Sequence, residues 1–373
     1  MAAPYNAEAR DNAEARDNAE ARDNAEARDN AEARGSGAGV TADREGAVAD
    51  RMKYGFQVLT YGASWADVLD TATRLDDLGY DYLWGHDHLY STGGNPYQPF
   101  FEGWTTLAAW AQATSRIRLG LTVGNNTFRN PGVVAKMAAT IDHISGGRSI
   151  FGFGAGNVEL ETVAHGLAWA SAGVRLDWLE EALKIVTGLF DGQAVTNHGP
   201  TYHFDAVRHA PQPTQSHLPV LIGAEGEKKG LRLAAQYSDI WQIFMGIDDF
   251  DAWHHKDEVF LAHCLDVGRD DRQVERMIGC KMIIRRDPAE AHRVFEELRQ
   301  VHKWQDDIWT VVWAASPEQV AESLVRYRAL GVQSFCPQLG WPYDRETIEL
   351  LIGEVAPLVE RATAQRWAGT SPA

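Results

Sequence analysis

Residues 116 to 157, RIRLGLTVGNNTFRNPGVVAKMAATIDHISGGRSIFGFGAGN, constrain the fold of this chain more than any other stretch. Arg118 to Val123 is rich in aliphatic residues and stops at Gly124-Asn125-Asn126, the pattern of a short buried strand. Pro131 stands where the first turn of a helix tolerates a residue without an N–H. Val133, Val134, Met137, Ile141 and Ile144 follow at helical spacing and make one apolar stripe. Gly146-Gly147 closes that helix, because glycine takes the left-handed cap conformation cheaply. Ser149 to Phe153 reads as a second strand, running into Gly154-Ala155-Gly156-Asn157. Two parallel strands joined by a helix take a right-handed crossover, which brings both strand ends to one edge of the sheet. Both Gly/Asn loops are therefore expected on one ligand-binding side.

The alternation continues through the chain. Tyr54–Leu59 and Tyr82–Trp84 read as strands around a helix that Ser64 caps and Trp65, Val68, Leu69, Ala72 and Leu75 line. Helices are expected around Thr106–Ala113, over Leu176, Leu179, Leu183, Val186 and Phe190, and from Asp344 onward. Further strands are expected at Pro219–Ile222, Asp239–Phe244, Met277–Ile284 and Gly331–Cys336, with an inserted hairpin at Thr196–Asp205. Strands alternating with helices imply a parallel sheet buried on both faces. About eight such units make an α/β fold, a (β/α)8 TIM barrel with insertions, with an open doubly wound sheet as the alternative. Residues 52 to 364 form this domain. Residues 1 to 51 are a tandem NAEARD repeat and a Gly-rich linker, whose only apolar repeat residue is alanine; this segment cannot bury a core and is expected to be disordered. Residues 365 to 373 are expected to be a flexible tail.

Composition narrows the partners. A formal net charge of -17 argues against nucleic acid and anionic membranes, which reward clustered Lys and Arg. Cys264, Cys280 and Cys336 are far apart and form no CxxC pair, so they read as small buried hydrophobes in a reducing compartment. No apolar run is long enough to span a bilayer, and no apolar signal-peptide core opens the chain. The expectation is a cytoplasmic protein acting on a small-molecule substrate, with a homodimer as the assembly the reading allows.

Three segments carry chemistry. His86-Asp87-His88 follows a strand, where barrel enzymes keep catalytic groups. It reads as a proton donor and acceptor oriented by a carboxylate, as half of a metal site, or as a polar strand end. The metal reading needs further ligands from later strand ends, and Ile222-Gly223-Ala224 and Gln242-Ile243-Phe244 supply none; no metal residue is assigned. Gly154-Ala155-Gly156-Asn157 spells GxGN, not the dinucleotide fingerprint GxGxxG, and reads as a glycine-lined approach to a planar cofactor. Gly223-Ala224-Glu225-Gly226-Glu227-Lys228-Lys229-Gly230 follows a strand and opens a helix, so it reads as a phosphate site or as a capped, solvated helix start.

TFRNPGVVAKMAATIDHISGGR followed by GFGAGN resembles the bacterial-luciferase-like oxidoreductases, and most of all the branch that uses the deazaflavin coenzyme F-420 rather than FMN. The supporting motifs extend from Met52 to about Trp241. The resemblance implies a luciferase-like TIM barrel and a hydride transfer between the coenzyme and a small organic substrate. A deazaflavin has carbon where flavin has its reactive ring nitrogen, which favours hydride transfer over oxygen activation. The resemblance places Asp87 and His88 against the deazaflavin ring, with His88 moving the proton and Asp87 orienting it. It implies a non-proline cis peptide bulge at Val123-Gly124-Asn125. Cofactor contacts then fall on Val123, Gly124, Asn125, Thr127, Gly156 and Asn157, and phosphate contacts on Ala224, Glu225, Gly226 and Lys228. Some members carry a catalytic glutamate where Asn157 stands, and asparagine cannot do that proton work. The alternatives are an FMN-dependent monooxygenase, a non-catalytic flavin-binding barrel and a His86/His88 metal hydrolase.

Overall fold

The computed structural model describes residues 51–302 and 311–368 of the 373. The NAEARD repeat and its linker, up to residue 50, and residues 369–373 lie outside the described residues. The main strands in chain order are β1 (Lys53–Val58), β2 (Tyr82–Gly85), β3 (Arg118–Leu121), β4 (Gly124–Asn125) and β5 (Ser149–Gly154). An antiparallel hairpin of β6 (Val195–His198) and β7 (His203–Val207) intervenes. Then come β8 (Val220–Gly223), β9 (Ile240–Phe244), β10 (Glu275–Gly279), β11 (Lys281–Ile284), β12 (Val312–Ala315), β13 (Ser334–Phe335) and β14 (Gln338–Leu339). The helices are α1 (Trp65–Asp77), α2 (Gly103–Ala113), α3 (Pro131–Ser145), α4 (Glu159–Ala164), α5 (Ala172–Phe190), α6 (Gly230–Tyr237), α7 (Phe250–Val267), α8 (Pro288–His302), α9 (Pro317–Ala329), α10 (Arg345–Leu350) and α11 (Ala356–Ala368).

The sheet closes on itself. β1 pairs in parallel with β2 on one side and with β13 and β14 on the other, and the circuit runs on through β3, β5, β8, β9 and β10. Counting β3 with β4, β10 with β11 and β13 with β14 as interrupted strands gives a closed eight-stranded barrel, as expected, with β12 as an additional strand paired to β11. Its inside is filled by Tyr82, Trp84, Ile150, Leu221, Ile240, Met277 and Cys336. The larger apolar core lies between the barrel and its helices, and the three cysteines are buried thiols.

Local chemistry fixes the ends of the helices. Ser64 and Asp67 form a reciprocal capping box on α1. The Asn130 side chain accepts from the Gly132 N–H at the start of α3, and Gly146 ends it at φ 66°. The buried face of α3 differs from the expected stripe: Val133 and Ile144 are exposed, while Val134, Ala135, Ala138, Ala139 and Ile141 are buried. Alanines beside Val134 and Ile141 let the helix approach the barrel closely, and Val133 and Ile144 fall to its flanks.

Four boundaries also differ. The third strand stops at Leu121 and resumes at Gly124, the strand expected at Met277–Ile284 divides into β10 and β11, the last divides into β13 and β14, and helix continues through Ala368 where a tail was expected. The strand β12, which pairs with β11, and the helices α7, α8 and α9 had no sequence expectation. Ile283 and Ala314 of those strands pack on Ala291, Val294, Phe295 and Leu298 of α8. No described helix is long and apolar enough to cross a membrane.

Candidate active site

In a parallel barrel all strands end at one rim, and here β2, β4, β5 and β8 end there as successive neighbours. The residues singled out at 86–88, 123–127, 154–157 and 223–228 therefore lie along one arc.

His88, just past β2, is held by a partner the sequence did not reveal. Its Nδ1 lies 2.6 Å from Glu161 Oε1. Glu161, in α4, is fully buried, and its Oε2 accepts from the Leu89 and Tyr90 N–H groups at 2.6 and 3.0 Å. A carboxylate acceptor puts the ring proton on Nδ1, so Nε2 is the nitrogen that can give or take a proton. His86 is different. It is buried among Tyr61, Phe100 and His88, its Nε2 accepts from the Thr60 N–H at 3.4 Å, and burial pushes its pKa well below the usual histidine range. It stays neutral.

Asp87 does not orient His88. Its carboxylate takes a bidentate pair from Arg129 at 2.6 and 3.0 Å, the Asn125 N–H at 2.9 Å and Trp104 Nε1 at 3.3 Å. Burial pushes this carboxyl up, and the Arg129 guanidinium pulls against that. Four donors and a neighbouring cation make the environment of a carboxylate that braces the end of β4. Arg129 also reaches Glu102, whose side chain caps α2 through the Trp104 and Thr105 N–H groups.

Between β3 and β4 the Thr122–Val123 peptide is cis. The Thr122 carbonyl accepts from Gln57 Nε2 at 2.5 Å, and Gln57 Oε1 accepts from Gln338 at 2.8 Å, an amide chain across the barrel. The Val123 side chain lies where β-carbons on Gly154 and Gly223 would stand, 2.5 and 3.2 Å from its methyls. Gly154 is thus required by close approach, while Gly223 faces a tight contact that a small shift would relieve. Asn125 Oδ1 accepts from the N–H and hydroxyl of Thr127, and a β-carbon on Gly156, at φ 76°, would fall 2.5 Å from it. The buried amide nitrogens of Asn125 and Asn126 have no hydrogen-bond partner. Asn157 is exposed on the same loop.

The 223–230 segment is arranged otherwise than its lysines suggested. Its helix starts at Gly230, the Ala224 N–H is spent on the Gln242 carbonyl, and Lys229 binds Asp177 at 2.6 Å. Glu225, Gly226 and Lys228 are exposed at the strand end. Lys256 of α7 reaches into the segment, binding the Glu225 carbonyl and Glu227. On the opposite arc, Lys281 opens β11 beside Gln338, buried, and desolvation pushes its pKa down to about 7.

Glu161, Arg129, Gln57 and Lys281 were missed by sequence reasoning. For Glu161 the only signal was an acidic residue shortly after GxGN, shared with Glu159.

Comparison with known proteins agrees with this architecture. F420-dependent glucose-6-phosphate dehydrogenase of Microbacterium testaceum is 31% identical over 201 residues, 53% of this chain and 58% of that protein. The chain spans about half the length of the curated relatives it matches. A solved F420-dependent secondary alcohol dehydrogenase, in complex with an F420-acetone adduct, superposes with a TM-score of 0.70 at 21% identity, covering 83% of this chain and 99% of the other. Riboflavin lyase with modified FMN and riboflavin gives 0.71 at 15% identity, covering 84% and 92%. The family model for luciferase-like monooxygenases matches residues 52–309, and the chain belongs to that family.

Proposed function

We propose that the protein is an oxidoreductase moving a hydride between coenzyme F-420 and a small organic substrate. The observation that carries the reading is the His88–Glu161 pair, a proton-transfer group beside a cradle suited to a planar ring. The residues fit such a ring: two buried amide nitrogens, on Asn125 and Asn126, lack acceptors, and Val123 with Gly154 and Gly223 makes an apolar floor. Ala224, Glu225, Gly226 and Lys228 stand at the next strand end, where a phosphate would be received. When bound, the coenzyme supplies the hydride chemistry.

The chain's own part is positioning and proton management. Glu161 fixes the tautomer of His88 and stabilises the imidazolium when Nε2 takes up the proton that accompanies hydride transfer. Asp87 and Arg129 hold the end of β4, so they position the cradle and do not touch the reacting atoms. Asn157 offers hydrogen bonds only, so proton transfer rests on His88. FMN is the competing cofactor, since the same fold is found with modified FMN.

The test is turnover of His88→Ala and Glu161→Gln with the first substrate found by screening alcohols and carbonyl compounds against F-420. His88→Ala should lower kcat by a factor of about 100 to 10,000 with cofactor affinity retained. Glu161→Gln should lose less than His88→Ala, because the imidazole and its Nε2 remain while only the partner that fixes the ring is weakened. Wild-type turnover in His88→Ala across the pH range would overturn the mechanism.

A further inference from the structure

The hairpin between α5 and β8 carries a second cluster of histidines that the redox site does not use. His198 and His203 stand directly opposite each other on β6 and β7. Both are exposed, with His198 Nδ1 3.1 Å from His203 Nε2 and ring centroids 4.7 Å apart. Two imidazole nitrogens on one zinc ion, each at about 2.0–2.1 Å, sit roughly 2.9–3.4 Å apart for bond angles between square and tetrahedral. The observed spacing lies inside that window. The two rings share a single proton in this contact, and a cation can replace that proton with no movement of the backbone.

The hairpin is built to hold this geometry. Glu181 of α5 accepts from Asn197 Nδ2 and the Tyr202 N–H at 2.7 and 3.0 Å, and from the Thr201 N–H at 3.2 Å, so both strands and the turn hang on one carboxylate. Phe204, between the exposed His203 and Asp205, is buried and packs on Gly132. A chelate on such a support loses little entropy when the ion binds.

We propose that His198 and His203 form a binding site for a divalent transition ion of the zinc, nickel or copper class. Among the described residues no group of three or more His, Cys, Asp or Glu is placed to hold a metal, so the ion keeps water in its remaining positions. The site is distinct from the His88 arc but tied to it: the Tyr202 hydroxyl donates to Asn126 Oδ1 at 3.2 Å, next to the cradle.

The experiment uses the full chain without cofactor, titrated with zinc against a chromophoric chelator and with copper followed by electron paramagnetic resonance. One zinc per chain should bind at this site. His198→Ala and His203→Ala should each lower that affinity by more than about tenfold, since losing even an outer partner of a metal ligand costs about 10–100-fold. The copper spectrum should show two equivalent nitrogens, reduced to one in either variant. Zinc should also raise the melting temperature of the wild type and leave the double variant unmoved. Undiminished zinc binding in the double variant, or no binding by the wild type, would overturn the proposal. Because no cofactor is present, neither result bears on the redox reading.

Discussion

His88 reaches its partner across 73 positions of chain, while the carboxylate next to it in sequence serves a different purpose. In and just beyond a strand, neighbouring side chains leave on opposite faces. His88 and Asp87 therefore diverge, and adjacency in sequence was the wrong guide to which acid orients the ring. Lys281 poses the opposite problem, a charged group where the periodicity of its strand promised an apolar one. Burial pushes its pKa from 10.5 down to about 7, so folding expels a proton from this side chain between those values. The unfolded chain then binds more protons, and the Lys281 contribution to stability rises with pH by about 1.4 kcal/mol per unit over that window. Lys281→Met removes the term. Its stability advantage over wild type should be largest near pH 7 and shrink towards pH 10, as denaturant titrations at several pH values would show. A constant difference between the two proteins would mean that Lys281 does not titrate in this range. The His88 position and the Gly/Asn loops were legible because strand ends announce themselves by composition. Glu161 and Lys281 were not, since nothing local distinguishes Glu161 from Glu159 or an inward lysine from an outward one.

At the scale of elements, Arg129 is the joint of the site. It binds Asp87 at the end of β2 and Glu102 at the start of α2, and Asp87 in turn holds the Asn125 N–H at β4. Removing one partner of a buried pair strands the other, at a cost of about 3–5 kcal/mol. Arg129→Met should lower the free energy of unfolding by that amount, measured by urea titration, and loosen the cradle. A change below about 1 kcal/mol would mean that the other donors suffice for Asp87. The interruption of the third strand was legible only through family resemblance. Val123 beside Gly124 is compatible with an ordinary turn, and what holds the bulge is Gln57, a residue from a strand more than sixty positions earlier. The buried face of α3 was legible in part: Val134 and Ile141 face inward as their spacing implied, while Val133 and Ile144 give way to Ala135, Ala138 and Ala139.

At the scale of the molecule, closure is what makes a site from scattered residues. Eight parallel strand positions put every C-terminal strand end on one rim, so four short motifs become one arc without any long-range sequence signal. The alternation of strands and helices was enough to reach the barrel. The rim strand β12 was invisible, because a short apolar run next to Trp313 has no period that separates strand from helix. What the whole arc binds is the claim on which the functional reading stands. The direct test is an anaerobic equilibrium titration of the full chain with oxidised coenzyme F-420 and, separately, with FMN, followed by the cofactor's fluorescence. The account predicts saturable binding of F-420, at least about tenfold tighter than FMN, or some 1.4 kcal/mol. Saturable binding of FMN with none of F-420 would contradict it.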